Sequence, residues 1–147
     1  MLDAGIGIDR GSLFEPDTRP LMTSQFIKSM SQIDQIFISH AHIDHIGFLP
    51  KLMSMTKHAQ VFMTEPTAML AQYQLLDNKF TTEDDSKEEE RLAIQYLLQQ
   101  VVKVGYLQTM DFGEYKVTFY QAGHIPGAMM VLFEYAGRKI LYTGDYS

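Results

Sequence analysis

Six consecutive residues, His40-Ala41-His42-Ile43-Asp44-His45, contain four side chains that can bind a metal ion. The apolar run at residues 36–39 predicts a buried strand just before them, and residues 46–50 predict the entry to a helix. The cluster therefore lies where a strand ends and the chain turns, so a rigid strand holds the first ligand and the turn brings the others back. An extended segment points His40 and His42 the same way. Two imidazoles at one point, and a carboxylate with an imidazole nearby, suit a pair of zinc-like ions.

The ordinary alternative is that these are surface histidines of a polar loop. The chain of 147 residues has five histidines, and three of them fall in this stretch together with an aspartate. Such clustering favours a metal site. His58, in contrast, follows Lys57 at a predicted helix end, where the helix dipole favours a cation, and it needs no functional explanation.

The same stretch matches the HxHxDH signature of the metallo-β-lactamase superfamily. Three further segments resemble the other motifs of that family in the same order: Leu-Asp-Ala-Gly at residues 2–5, Ala-Gly-His at 122–124 and Thr-Gly-Asp at 143–145. The sequences AGHIPGA at 122–128 and YTGDYS at 142–147 are most similar to the β-CASP branch, which holds RNA-processing nucleases. The resemblance covers the chain nearly from end to end.

The resemblance implies a site with two zinc ions, and Zn²⁺ is therefore the expected cofactor. Its implied ligands are six side chains: His40, His42 and His124 for the first ion, Asp44 and His45 for the second, and Asp145 between the two. Two ions a few ångström apart lower the pKa of a bridging water toward about 7. The resulting hydroxide would attack the substrate while the metals stabilise the oxyanion. Imidazole and carboxylate are ligand types that suit zinc.

Two of the implied roles have ordinary alternatives. Asp3 would orient a metal ligand by hydrogen bonding and, with Asp44, is a catalytic candidate. It is equally well explained as a plain aspartate at a strand end beside Gly5. An isolated His124 would more often be a core or loop histidine, but its place after Gly123 and before a predicted hairpin favours a ligand.

The resemblance also implies an incomplete domain. We expect residues 1–147 to form part of a metallo-β-lactamase-like αββα sandwich, an α/β fold, without the family's opening strands, the β-CASP insert and the carboxyl-terminal part. The family adds a further histidine to the second metal, whereas no histidine follows His124 here. We therefore expect little or no turnover from these residues alone. Unpaired sheet edges predict marginal stability and self-association, so a homo-oligomer is an expected state.

Three functions stay open. The first is an RNA-processing endo- or exoribonuclease of the β-CASP branch, present in part, with RNA as the partner of the complete protein. The second is another metallo-hydrolase of the superfamily, such as a thioesterase, and the motifs of a downstream β-CASP domain would separate it from the first. The third is a non-enzymatic zinc-binding remnant, which a turnover measurement would separate from both.

Composition limits these options without selecting one. The net charge of −6 is not the footprint of a nucleic-acid binder, but residues 83–90 hold six acids and one lysine, a net of −5, so the rest is nearly neutral. There is no apolar run of about 18 residues and no signal-peptide pattern, so we expect no membrane association. The absence of cysteine excludes disulfides and thiolate ligands and fits a cytoplasmic protein.

Local patterns predict the elements around the motifs. In the first half they predict a loop at 6–20, a short helix at 21–30, helices at 48–57 and after Thr64, and a strand at 60–63. The helix after Thr64 would bury one face, formed by Met69, Leu70, Tyr73 and Leu76.

In the second half, a capping box of Ser86 and Glu89 predicts the start of a helix whose buried face is Ile94, Leu97, Leu98 and Val101. Strands are predicted at 104–106 and 115–121, with a turn region at 110–114 between them. Strands at 129–135 and 139–143 form a predicted hairpin around Gly137. His124 and Asp145 would then both follow strand ends.

Overall fold

A computed structural model describes residues 1–9, 12–14, 31–56, 58–77 and 86–147. Within these ranges a parallel sheet lies between a layer of helices and an antiparallel sheet, with one apolar core on each of its faces. This order of layers agrees with the predicted layered α/β arrangement.

A short hairpin is present where the sequence predicted a loop. Strand β1, Gly7–Asp9, pairs with strand β2, Ser12–Phe14, and Ile8 lies opposite Leu13. The loop prediction for residues 6–20 was wrong at these six positions, because strands of three residues are too short to show a readable alternation. The helix predicted at 21–30 lies outside the described residues.

The parallel sheet consists of β3, Gln35–Phe37, β4, Gln60–Thr64, and β5, Val102–Val104, in that order. Alternate side chains point to opposite faces. Ile36 and Ile38 are fully buried in the core shared with the helices, whereas Phe37 lies in the core shared with the antiparallel sheet. Burial on both faces explains the apolar run Val61-Phe62-Met63 in the central strand β4. The strand predicted at 104–106 lies two residues earlier than expected.

Among the described residues, four helices follow strands β3 and β4: α1, Ile43–Ile46; α2, Leu49–Thr56; α3, Glu65–Asp77; and α4, Ser86–Gln99. The predictions of α2, and of α4 with Ile94 and Leu97 buried, are confirmed. Helix α4 begins at Ser86, but the side chain of Ser86 is not among those described, so the capping box stays a prediction. None of the helices in the described ranges is long and apolar enough to cross a membrane.

The predicted buried face of α3 was wrong at Met69 and Tyr73, whereas Leu76 is partly buried and packs against the core, as predicted. Met69 and Tyr73 are 60% and 66% exposed, and the buried residues are Thr67, Ala68, Ala71 and Leu75. The hydroxyl groups of Thr64 and Thr67 both donate to the carbonyl of Gly127, at 2.7 and 3.0 Å. This polar contact fixes the rotation of the helix about its axis, and a hydrophobic pattern does not reveal it. The small alanines then face the sheet.

The antiparallel sheet contains four strands in sequence order: β6, Thr109–Asp111; β7, Tyr115–Gln121; β8, Met129–Tyr135; and β9, Arg138–Tyr142. Ala136 and Gly137 connect β8 to β9 and both have positive φ, as a two-residue type I′ turn requires. The predicted strands β7 to β9 are confirmed. Strand β6 takes part of the region predicted as a turn, because its backbone pairs with Lys116, Val117 and Thr118.

Phe37 joins the two sheets. Its ring stacks on Phe62 of the parallel sheet with the centroids 5.0 Å apart, and it meets Phe133 of the antiparallel sheet edge to face at 5.5 Å. These contacts hold the end of β3 in place between the two sheets. The segment that follows, residues 39–45, therefore starts from a fixed position.

Gly127 lies in the connection from β7 to β8, with φ +88. A Cβ atom at this position would lie 2.5 Å from the backbone nitrogen of Thr67. Gly137 has a similar φ of +75, but a Cβ atom there would meet nothing within 4 Å. A comparison of alanine substitutions at these two glycines therefore separates the cost of backbone strain from the cost of steric overlap.

We expect Gly137→Ala to lower the free energy of unfolding by about 1–2 kcal/mol, the cost of a left-handed residue with a side chain. Gly127→Ala should cost a further 1–3 kcal/mol or so, since the added methyl group also displaces Thr67. Chemical denaturation followed by circular dichroism measures both values. Equal losses in the two variants would contradict the close packing of Gly127 on α3.

Candidate metal centre

The end of β3 brings His40 to a buried position between the two sheets. The backbone of Ile38 still donates to Phe62 of β4, at 2.9 Å. The carbonyl of Ser39 then accepts the N–H of Met129 at the start of β8, also at 2.9 Å. His40 follows with its side chain fully buried. The first histidine is thus fixed by backbone contacts to both sheets.

Helix α1 is a single turn that folds the next side chains back toward His40. The carbonyl of His42 accepts the N–H groups of His45 and Ile46, at 2.9 and 3.1 Å. As a result the rings of His45 and His40 lie with their centroids 4.1 Å apart. The amino-terminal segment packs closely on this turn, since a Cβ atom on Gly5 would lie 1.5 Å from the carbonyl oxygen of Asp44.

His124 and Asp145 reach the same place from the antiparallel sheet. His124 follows β7 in a loop that closes on itself, because the N–H of Ala122 donates to the carbonyl of Ala128 at 3.1 Å. Thr64 and Thr67 anchor that loop through Gly127. Asp145 follows β9, and its side chain is 49% exposed.

Three imidazole nitrogens and one carboxylate oxygen converge in a first set. Nδ1 of His42 lies 3.0 Å from Nε2 of His40 and 3.1 Å from Nε2 of His124. Oδ2 of Asp145 lies 3.7 Å from Nε2 of His124 and 4.0 Å from Nε2 of His40. All four atoms lie within 4.8 Å of one another. In the described part of the chain these four side chains form a group that could hold a metal ion.

A second set lies beside the first and shares Asp145 with it. Nε2 of His45 is 3.8 Å from Oδ2 of Asp44 and 3.6 Å from Oδ1 of Asp145. The two oxygens of Asp145 therefore face different groups of ligands. Asp44 is 46% exposed, so this set opens toward solvent.

The chemistry of the first set fits a metal ion such as zinc. A tetrahedral zinc ion with Zn–N bonds of about 2.0–2.1 Å holds its ligand nitrogens roughly 3.3 Å apart. The contacts of 3.0 and 3.1 Å around Nδ1 of His42 are close to that spacing. Hydrogen bonds alone do not explain this arrangement well, because Nδ1 of His42 has a single lone pair and accepts a hydrogen bond from at most one of the two nitrogens that face it.

Asp3 is a buried carboxylate that accepts four hydrogen bonds. Oδ1 accepts the backbone N–H of Ser39 at 2.6 Å, and Oδ2 accepts the Ser39 hydroxyl at 2.7 Å. Oδ2 also accepts the Tyr142 hydroxyl at 2.6 Å and faces Nδ1 of His45 at 2.7 Å. A proton on Nδ1 of His45 leaves Nε2 free to face the second set. Asp3 itself has φ +51, a conformation that aspartate tolerates better than most residues.

These contacts shift the titration of the site. Burial of Asp3 disfavours its charge, but the hydrogen bonds from His45, Tyr142 and Ser39 outweigh burial and lower its pKa. The hydrogen bond to Asp3 raises the pKa of His45. Burial, followed by repulsion from His45 and His42, lowers the pKa of His40 to about 4, so this ring is neutral at pH 7 and can offer a lone pair. Burial and the bond to Asp3 raise the pKa of Tyr142.

The structure brings together all six side chains that the sequence predicted as ligands, with Asp3 next to them. His58 lies apart and faces Asp34 on the surface, as expected of an ordinary histidine. Sequence reasoning missed Ser39 and Tyr142 as partners of Asp3. Ser39 directly precedes His40 at a strand end, which is a usable signal, whereas nothing local distinguishes Tyr142 from the other tyrosines of the sheet.

Curated relatives match this chain over all or most of its length. Endoribonuclease ysh1 of Schizosaccharomyces pombe is 35% identical and covers 100% of the chain, and Endoribonuclease YSH1 of Saccharomyces cerevisiae is also 35% identical over 100%. Cleavage and polyadenylation specificity factor subunit 3 of Dictyostelium discoideum is 39% identical over 78% of the chain. The chain spans only 15–20% of the length of these three relatives.

Solved structures show the same fold at low sequence identity. A metallo-β-lactamase with an HARLDQ motif from Cronobacter sakazakii superposes with a TM-score of 0.62 at 20% identity, covering 97% of this chain and 47% of that one. A B3 metallo-β-lactamase with an active-site glutamic acid gives a TM-score of 0.57 at 17% identity, covering 95% of this chain and 49% of that one. These matches confirm the predicted fold class, of which the chain covers a part.

The family assignment comes from the sequence itself. Residues 6–147 match the family described as a metallo-β-lactamase superfamily domain. The match spans the three motifs that contain all six candidate ligands. With endoribonucleases among its curated relatives, the resemblance to the RNA-processing branch is also confirmed. The chain therefore belongs to the metallo-β-lactamase superfamily.

Proposed function

We propose that these residues form the two-zinc centre of a hydrolase that cleaves phosphodiester bonds in RNA. The observation that carries the proposal is the position of Asp145, whose two carboxylate oxygens lie 3.6–4.0 Å from histidine nitrogens of two different ligand sets. A carboxylate placed between two groups of ligands suits a pair of ions that share it.

His40, His42, His124 and Asp145 would hold the first zinc ion, and Asp44, His45 and Asp145 the second. Bound zinc supplies Lewis acidity and a nucleophile at neutral pH. The protein contributes the orientation of the ligands. Asp3 holds Nδ1 of His45, so that Nε2 points at the second set. Asp44 lies on the solvent side, where a substrate has access.

RNA is the proposed substrate for a physical reason and from relatedness. A two-metal site suits in-line displacement at phosphorus, because both the attacking and the leaving oxygen are stabilised. The two relatives from yeasts carry the name endoribonuclease, which supports RNA over the thioesters or lactams that similar sites cleave. The net charge of −6 offers little attraction to RNA, so the surface that grips it would belong to the rest of a longer protein. Cleavage should leave a 5′-phosphate on the downstream product.

The metal centre predicts that the folded chain binds zinc. We expect His42→Ala combined with His124→Ala to lower the zinc content strongly, because the first set loses two of its three imidazoles. Affinity should also fall with decreasing pH as the imidazoles protonate. Metal analysis after dialysis measures the content, and His58→Ala is the control, since His58 is exposed and outside the site. The same zinc content in the double variant and in the wild type would refute the assignment.

The contact between Asp3 and His45 predicts a change that needs no metal. Asp3→Asn weakens the hydrogen bond to His45 and removes the carboxylate charge, both of which raise the pKa of His45, so this pKa should fall. An NMR titration of the imidazole in metal-free protein measures it. Asp111→Asn removes a surface carboxylate elsewhere and controls for net charge. An unchanged His45 pKa in Asp3→Asn would show that Asp3 does not hold this ring.

The reaction is tested on the full-length gene product that contains these residues. We expect it to cleave 5′- and 3′-labelled single-stranded RNA in a metal-dependent way. Asp44→Ala should lower the cleavage rate by about 100-fold or more, because a zinc ligand is lost. Rapid hydrolysis of a thioester without cleavage of RNA would instead assign the protein to another class of metallo-hydrolase.

A further inference from the structure

The hydroxyl group of Ser39 lies at the centre of the site, between residues of both ligand sets. Its oxygen is 2.7 Å from Oδ2 of Asp3, 3.0 Å from Nδ1 of His40 and 3.5 Å from Nδ1 of His45. Ser39 is only 1% exposed, so water does not compete for this hydroxyl. It is not one of the six candidate ligands, and the proposed function gives it no role.

A serine hydroxyl has one proton to donate and can accept others at its lone pairs. Asp3 is the stronger acceptor of that proton, since a hydrogen bond to an ionised carboxylate is about twice as strong as one between neutral groups. When the Ser39 hydroxyl donates its hydrogen bond to Asp3, the Ser39 oxygen faces His40 with a lone pair. The Ser39 oxygen therefore accepts a hydrogen bond from Nδ1–H of His40. Nε2 of that ring then carries no proton.

The other tautomer of His40 has a partner as well. With the proton on Nε2, His40 would donate to Nδ1 of His42, 3.0 Å away. Nε2 of His40 would then have no lone pair for a metal, and the lone pair on Nδ1 of His42 would be occupied by the hydrogen bond. The choice between the two tautomers depends on what faces Nδ1 of His40. Ser39 is the group that the structure places there.

The packing around Ser39 prevents its side chain from turning away. A Cβ atom on Gly144 would lie 2.7 Å from Cβ and 2.8 Å from Oγ of Ser39, so the segment that follows β9 and leads to Asp145 lies directly against it. The Ser39 backbone is held on both sides, by Asp3 at its N–H and by Met129 at its carbonyl. The hydroxyl direction is thus fixed before any ligand arrives.

We propose that Ser39 is a positioning residue that holds His40 in the Nδ1–H tautomer and, through Asp3, links it to His45. The chain of hydrogen bonds runs from Nδ1–H of His40 to the Ser39 oxygen, and from the Ser39 hydroxyl to Asp3. Asp3 also accepts Nδ1–H of His45. One imidazole from each set thereby presents its Nε2 lone pair. The importance of this for zinc rests on the proposed function.

The tautomer is measured in metal-free protein at pH 7.5 by long-range ¹H–¹⁵N NMR spectra of the histidine rings. In the wild type we expect His40 to be protonated at Nδ1. In Ser39→Ala this nitrogen loses its acceptor, so the proton should move to Nε2, where His42 accepts it. A wild-type His40 protonated at Nε2 would overturn the proposal even if Ser39→Ala does not fold. An unchanged tautomer in a folded Ser39→Ala variant would also overturn it.

Zinc affinity gives the second measurement. Loss of a group that orients a metal-binding histidine typically lowers affinity 10–100-fold, and we expect Ser39→Ala to fall in this range. Thr118→Val is the matched control, since it removes a buried hydroxyl that bonds Thr109 in the antiparallel sheet. It should bind zinc like the wild type. Equal affinities of Ser39→Ala and the control would overturn the proposal.

The two measurements separate the two proposals. If the wild type binds no zinc but shows the expected tautomers, the metal centre is refuted and the role of Ser39 is supported. If the wild type binds zinc and its His40 is protonated at Nε2, the metal centre is supported and the role of Ser39 is refuted.

Discussion

The site depends on one buried carboxylate. A charged group inside a protein must be compensated by hydrogen bonds, and Asp3, with its side chain 9% exposed, accepts four of them. The donors come from three parts of the chain: Ser39 at the end of β3, His45 in α1 and Tyr142 in β9. Because each donor belongs to a different element, Asp3 can be ionised and satisfied only when the elements are packed correctly. The assembly of the site and the packing of the fold are therefore one event.

The two cores explain why the strand ends meet. The parallel sheet is buried against helices on one face and against the antiparallel sheet on the other, and Phe37 holds the two sheets together. His40 follows β3, His124 follows β7 and Asp145 follows β9, all at the same edge of this sandwich. These three residues are positioned by the strands that precede them, while Asp44 and His45 lie in the single helical turn of α1. A site on such supports needs little adjustment to bind an ion.

Much of this could be predicted from local sequence. The spacing of histidines in residues 40–45 identified the candidate site, and helix α4 and strands β7 to β9 followed from their apolar periodicity. The missed features are those that depend on distant partners. The buried face of α3 is chosen by hydrogen bonds to Gly127, and the three-residue strands β1 and β2 exist only through pairing. The hydroxyl of Tyr142 donates to Asp3, a residue 139 positions away in the sequence, and no local sequence pattern indicates such a contact.

We infer that Asp145 lies between two metal ions. Crystals of the protein grown with zinc, measured on both sides of the zinc absorption edge, test it directly. We expect two anomalous peaks, one at Nε2 of His40, Nδ1 of His42 and Nε2 of His124, the other at Asp44 and His45, with one oxygen of Asp145 toward each. A single peak that does not involve Asp145, or zinc bound only at surface residues such as His58, would contradict it.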